Sequence, residues 1–201
     1  MLRVRRRSVD AWLAAATAAG YVGLGPLVGL DPTRLERSVF RAMNGTSGSV
    51  PALRVPQQLG TPWLLPAMAV TGFFTGRPHL AVAAASALPL EKALEVGVKE
   101  VLQRRRPANV VADVVLHDDA PTDGGSYPSG HAAIAACAGV LAAPYLPTYA
   151  VGALVTAVAA TTFARVHQGA HFPLDGLGGI LMGVCTGALL NYTFGLPEVG
   201  D

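Results

Sequence analysis

The apolar positions fall into six runs, at residues 11–30, 60–76, 79–99, 131–146, 148–164 and 173–194. A helix rises ~1.5 Å per residue, so about 20 residues cross a hydrocarbon core of ~30 Å. The first run has no charge over its whole length, while the second and fourth are short for a span. The pattern predicts an all-α fold: a polytopic membrane helix bundle of about six transmembrane helices, with residues 1–201 forming a single domain. Pro144 and Pro147 interrupt the fourth and fifth runs and predict a hairpin of two short spans. Gly176, Gly178, Gly179, Gly183 and Gly187 mark the last run as a close-packing helix.

Between the first two runs the periodicity changes. Asp31-Pro32-Thr33 reads as a helix start with Pro in the first turn. Leu35, Val39, Phe40 and Met43 then recur at helical spacing, with Arg34, Glu36, Arg37 and Arg41 between them. This predicts an amphipathic helix lying on the membrane surface, broken by Asn44-Gly45-Thr46-Ser47-Gly48. In the third run Glu91, Lys92, Glu95 and Lys99 intrude at membrane depth, where charged groups must face the bundle interior. Residues 107–128 form a polar loop.

Composition agrees with a membrane bundle: 51% of residues are hydrophobic and only 14% charged. A formal net charge of +2 is too small to argue for nucleic acid. Arg3, Arg5, Arg6 and Arg7 place the N-terminus in the cytoplasm, with the first run as an anchor rather than a cleaved leader. Alternation of six spans then puts residues 31–60, 99–128 and 165–171 on the outer side. Arg104, Arg105 and Arg106 break the positive-inside tendency there, and a phosphate-binding role accounts for the break. Cys137 and Cys185 lie in apolar runs and read as packing residues. His117-Asp118-Asp119 reads as solvated loop, because no further ligands have suitable spacing; no metal or other cofactor is expected.

Three polar clusters carry the candidate chemistry. Lys99 and Arg106 are seven apart, which on a continuous helix puts both on one face. Ser129-Gly130-His131 opens the fourth run, where a hydroxyl and exposed helix N–H groups make an anion site. Arg165, His171 and Asp175 fall between the last two runs. A helix starting near Phe172 places His171 and Asp175 within hydrogen-bonding reach, so that Asp175 fixes the imidazole tautomer. Cations, a hydroxyl, free amides and two histidines suit a phosphoryl group with charge on three oxygens.

These residues resemble the three-part signature of the type 2 phosphatidic acid phosphatase family, which includes vanadium haloperoxidases and bacterial acid phosphatases. The family pattern Lys-x6-Arg-Pro appears as Lys99 to Arg106-Pro107. Pro-Ser-Gly-His appears as residues 128 to 131, and Ser-Arg-x5-His-x3-Asp as Arg165, His171 and Asp175, with Ala164 in place of the Ser. The motif region is 99–175.

The resemblance implies an integral-membrane, metal-independent phosphatase of lipid phosphates, with its site facing away from the cytoplasm of the plasma membrane. It implies that His171 attacks phosphorus, Asp175 orients it, and His131 protonates the leaving group and then activates water. Lys99, Arg106, Ser129, Gly130 and Arg165 would hold the phosphate oxygens. Glu95, one turn before Lys99, is expected to steady its ammonium. His167 matches no family position and is expected to make a local hydrogen bond, while Arg104 and Arg105 are expected to meet head groups or solvent. The alternatives are a vanadate-dependent haloperoxidase and a lipid-binding or transporting protein without turnover. Pure binding needs the cations but not two histidines.

Overall fold

The computed structural model describes residues 2–44, 51–117 and 120–195, which form eight α-helices and no strand. These are α1 (Leu2–Leu24), α2 (Arg34–Asn44), α3 (Pro51–Gln58), α4 (Leu64–Phe74), α5 (Pro78–Leu102), α6 (Gly130–Ala142), α7 (Thr148–His167) and α8 (Pro173–Phe194). Among the described residues, α7 and α8 are long and apolar enough to cross a membrane by length and composition. Leu64–Phe74 and Gly130–Tyr145 are apolar but shorter. α1 and α5 have the length, at 23 and 25 residues, but both carry charge.

Four expectations change at this level. The first run does not stay helical to residue 30: α1 stops at Leu24 and a 3-10 turn follows at Gly25–Leu27, where Pro26 removes a backbone donor. Pro32 precedes α2 rather than lying in its first turn, and the Thr33 hydroxyl caps the helix by accepting the Glu36 N–H (3.2 Å). The face of α2 is also rotated from the expected one. Phe40 is buried, but so is Glu36, while Leu35 is exposed. Finally, α5 ends at Leu102 and Gln103 turns the chain through a left-handed conformation (φ 44°). Arg106 therefore does not share a helical face with Lys99. The short helix α3 had no expectation attached to it. The break Asn44-Gly45-Thr46-Ser47-Gly48 lies beyond Asn44 outside the described residues, as do Asp118 and Asp119.

Pro144 and Pro147 do separate α6 from α7, through a 3-10 turn at Ala143–Tyr145. Leu65, Leu80, Ala84, Ile134, Cys137, Leu141 and Leu190 form the main core from α4, α5, α6 and α8. A smaller core of Phe40, Val111, Val166 and Phe172 lies under the loops at the other end of α7 and α8. Both cysteines are free.

The α6–α8 seam is built on glycine. A Cβ at Gly179 would run into the Ser129 carbonyl and one at Gly187 into the Cys137 carbonyl and Val140. At Gly183 it would run into the Ala133 carbonyl and Cα. Backbones this close exchange dispersion contacts that lipid tails cannot replace. The obstacle at Gly183 is backbone on both sides, so it has no rotamer by which to yield. Gly183→Val is expected to cost about 3 kcal/mol or more, the upper end of overpacking penalties. A thermal midpoint in detergent equal to that of the wild type would contradict this seam.

Candidate functional site

The third cluster is placed by the turn from α7 into α8. Gly169 takes a positive φ (79°) where a Cβ would strike the Val115 carbonyl, and this lets the chain reverse. Phe172 is then the N-cap residue of α8, and its N–H donates to Asp175 Oδ2 (2.8 Å). Asp175 thus sits in the first turn of α8, fully buried, where a carboxylate complements the helix dipole.

His171 is buried two residues before the helix. Its Nδ1 lies 2.8 Å from the Ser126 carbonyl and 3.7 Å from Asp175 Oδ2. A carbonyl only accepts, so Nδ1 carries the proton and donates a hydrogen bond to the Ser126 carbonyl. The lone pair is therefore on Nε2. This corrects the expected division of labour: the Ser126 carbonyl sets the tautomer, and Asp175, beyond hydrogen-bond distance, acts on the ring as a nearby charge. Ser126 is held in turn by residues 104 and 105. Its N–H donates to the Arg104 carbonyl (2.8 Å) and its hydroxyl to the Arg105 carbonyl (3.1 Å).

The second cluster meets the third directly. The Ser129 N–H donates to the Asp175 carbonyl (2.9 Å), and Ser129 is the N-cap residue of α6. The Ser129 hydroxyl oxygen is buried and has no hydrogen-bond partner among the described residues. Gly130 opens the helix against the Glu95 carboxylate, which a Cβ there would strike. His131 follows in the first turn, and Gly60 packs directly on its Cβ and carbonyl.

The first cluster is split by the turn at Gln103. Lys99 Nζ donates to Glu95 Oε1 (2.6 Å), and Lys92 Nζ to the other oxygen of the same carboxylate (2.6 Å). The Glu95–Lys99 contact foreseen from their spacing is present. Gly125 lies against the Lys99 stem. Arg106 reaches the third cluster instead: Nη1 donates to the Ala170 carbonyl (2.9 Å) and Nε to the Asp123 carbonyl (2.7 Å). Both acceptors are neutral, so they hold the guanidinium without cancelling its charge. Arg165 is buried and donates to Gln168 Oε1 (2.9 Å), which is fixed by Gln57 on α3.

Arg104 departs most from expectation. It is 1% exposed, neither at head groups nor in solvent. Nη1 donates to Asp175 Oδ1 (2.6 Å), Nη2 donates to Glu36 Oε2, and the guanidinium lies over the Phe172 ring at 5.3 Å. Burial opposes its charge, but the two carboxylates outweigh that and raise its pKa above the usual arginine value. Arg105 does face solvent, paired with Asp31 (2.8 Å). The hydrogen bond of His167 is not local: its Nδ1 meets the Met43 carbonyl of α2 (2.9 Å), and its ring stacks on His117 with centroids 5.1 Å apart. Among the described residues, no three His, Cys, Asp or Glu side chains are grouped to hold a metal.

The class defined by fold and site is an all-helical bundle in which three separated segments surround one buried histidine–carboxylate pair with cations. The chain belongs to the PAP2 superfamily, whose family model matches residues 78–196. It is 35% identical over 85 residues to the undecaprenyl-diphosphatase of Sulfolobus acidocaldarius, a stretch covering 42% of this chain and 41% of that protein. The chain thus spans less than half the length of that relative. Its fold is similar to that of Aquifex aeolicus LpxE, with a TM-score of 0.70, 23% identity, and coverage of 79% of this chain and 95% of the other. It is also similar to the transmembrane PAP2 type phosphatidylglycerolphosphate phosphatase from Bacillus subtilis, with a TM-score of 0.63, 20% identity and 95% of each chain covered.

Burial pushes the His171 pKa from 6.5 down to about 4; the charges of Arg106 and Arg165 add to this, and Asp175 opposes it. The ring is therefore neutral at pH 7. Between about pH 4 and 6.5 the unfolded chain binds a proton here that the native protein does not, so stability falls as the pH drops through that window. The loss from this one group reaches roughly 3 kcal/mol at the acid end. His171→Asn keeps a donor toward Ser126 but cannot titrate. Its thermal midpoint is expected to fall less than that of the wild type between pH 7 and pH 4.5. Parallel decline of the two would mean that His171 does not titrate as an isolated buried base.

Proposed function

We propose that the protein is a multi-pass membrane phosphatase that hydrolyses a phosphomonoester or diphosphate of a membrane lipid through a phosphohistidine, without metal. The observation that carries this reading is the state of His171: neutral, with Nδ1–H donating to the Ser126 carbonyl, Nε2 bearing its lone pair, and Arg106 fastened to the carbonyl of the residue just before it, Ala170. A nucleophile so prepared, ringed by cations, suits in-line attack on phosphorus.

In the proposed reaction Nε2 of His171 attacks phosphorus and the bond to the leaving oxygen breaks. His131 gives that oxygen a proton. His131 then takes a proton from water, which attacks the phosphohistidine and releases inorganic phosphate. Lys99, Arg106, Arg165, the Ser129 hydroxyl and the Gly130 N–H hold the phosphoryl oxygens. The unpartnered hydroxyl of Ser129 supports its part in this. Asp175 offsets the positive charge that grows on His171 as the bond forms. Glu95 keeps Lys99 in place, and Ala164 in place of the family Ser leaves these charged groups intact.

The candidate substrates are polyprenyl phosphate or diphosphate, phosphatidic acid and phosphatidylglycerol phosphate. The relatives named undecaprenyl-diphosphatase and phosphatidylglycerolphosphate phosphatase support lipids of this kind. A site at the loop end of apolar helices suits a head group at the membrane interface. The layout proposed is six spans in the plasma membrane, built on α1, α4, α5, α6, α7 and α8, with the site on the extracytoplasmic side.

Purified protein is expected to release inorganic phosphate from at least one lipid of this panel in EDTA, and His171→Ala to release less than ~1% as much. Turnover within tenfold of the wild type in that variant would remove His171 as the nucleophile. Orientation has its own test at Thr122, an exposed residue of the loop before α6. With Cys137 and Cys185 replaced, Thr122→Cys is expected to react with an impermeant thiol reagent in intact cells. Labelling only after the cells are opened would place the site on the cytoplasmic side.

A further inference from the structure

The Glu36–Arg104 pair has no place in the reaction just described, and Glu36 lies outside the region matched by the family. Both side chains are almost completely buried. Such a pair is costly to bury unless every arm has a partner. Here Nε of Arg104 is buried without a hydrogen-bond partner among the described residues, while its other two nitrogens are both engaged by carboxylates. Arg104 Nη1 holds Asp175 Oδ1, and Nη2 holds Glu36 Oε2. Glu36 Oε1 accepts the Leu174 N–H (3.1 Å), in the first turn of α8 beside Asp175. Asp175 Oδ2 is left to the Phe172 N–H and to His171. Phe172 itself is clamped between the Arg104 guanidinium and the Phe40 ring of α2, whose centroid is 5.1 Å away.

We infer that Arg104 and Glu36 are positioning residues for the nucleophile. Arg104 locks the rotamer and the charge of Asp175, so that Oδ2 faces His171, and Glu36 locks Arg104 and the start of α8. The inference rests on the proposed reaction, because it assigns a task to a neighbour of His171. It extends the site to α2, which would otherwise be only a helix beside the bundle. Neither residue reaches the phosphate. Their loss therefore weakens the chemical step and not substrate binding.

The test uses the full-length protein in detergent, with kcat and KM for the lipid the wild type hydrolyses best and a thermal midpoint for every variant. Arg104→Met keeps the packing volume and removes the fork; it is expected to lower kcat about 100-fold with KM within about threefold, the scale of outer-layer losses around a reacting group. Arg104→Lys keeps the charge but cannot bridge two carboxylates and is expected to lie between Met and wild type. A role in packing alone would favour Met over Lys. Glu36→Gln is expected to lose about tenfold in kcat. The double variant Glu36→Gln with Arg104→Met should lose no more than Arg104→Met alone, because the amide oxygen at position 36 can still accept the Leu174 N–H and the rest of the Glu36 effect runs through Arg104.

If Arg104→Met leaves two buried carboxylates too strained to fold, Glu36→Gln and the double variant, which relieves one of them, decide the matter. A folded Arg104→Met or double variant with kcat within threefold of wild type overturns the inference. So does a loss that lies wholly in KM, or a Glu36→Gln variant with unchanged kcat. Active wild type with unaffected variants overturns this inference and leaves the phosphatase reading standing. Wild type that hydrolyses none of the panel overturns both.

Discussion

A guanidinium held out of water between two carboxylates constrains the rest of this structure. Arg104 is covered by α2, α8 and the loop core, and so are its partners Glu36 and Asp175. Leaving any one of the three unpaired would strand a buried charge, at a cost of several kcal/mol. The elements that carry them must therefore meet in one register. By comparison the exposed pairs Arg105–Asp31 and Arg41–Asp113 contribute little, because water already solvates both partners.

That register reaches His171 through three consecutive residues. The Arg104 side chain fixes Asp175, the carbonyls of Arg104 and Arg105 fix Ser126, and Arg106 fixes Ala170. The Ser126 carbonyl in turn accepts the hydrogen bond from Nδ1–H of His171. The turn after α5 thus indexes the imidazole from its carboxylate side, its carbonyl side and its backbone. The glycine seam between α6 and α8 works to the same end. The Ser129 carbonyl lies against Gly179 at the top of the seam, while the Ser129 N–H bonds the Asp175 carbonyl. The helix spacing that removed Cβ atoms lower down is the spacing that brings the Ser129–His131 segment to the site.

What the sequence disclosed follows from what is local. The break at Pro144 and Pro147, the start of α8 after Phe172, the glycine face of α8 and the Glu95–Lys99 contact all depend on neighbours within a turn or two. The three polar clusters were legible for the same reason, and the alternation of six spans put them on one side. The missed features are those that only tertiary structure creates. Ser126 acts through a carbonyl, which any residue carries. Arg104, two positions before the arginine proposed to hold phosphate, reads as one more basic surface residue until Glu36 arrives from a helix 68 positions away. Glu36 fitted a polar stripe, so periodicity assigned it to water. The turn at Gln103 has neither Gly nor Asn to announce it, so Arg106 was carried along a helix that had already ended.

The arrangement of charge around His171 connects these details to the proposed chemistry. One network is Glu36, Arg104 and Asp175, two carboxylates and one cation, which sum to one negative charge. In the other, Lys92 and Lys99 share the single carboxylate of Glu95 and sum to one positive charge. Arg106 is held by neutral carbonyls. In the proposed reaction, attack by Nε2 would draw positive charge into the ring and spread negative charge over the phosphoryl oxygens. On that proposal the positive charge would develop beside the fixed carboxylate of Asp175, already oriented by Arg104, so little reorganisation would remain there for the transition state. A second carboxylate on Lys99 or an unpaired Arg104 would level that difference. The buried pairs thus keep one net negative charge beside the imidazole, which a simple apolar core of the same volume would not.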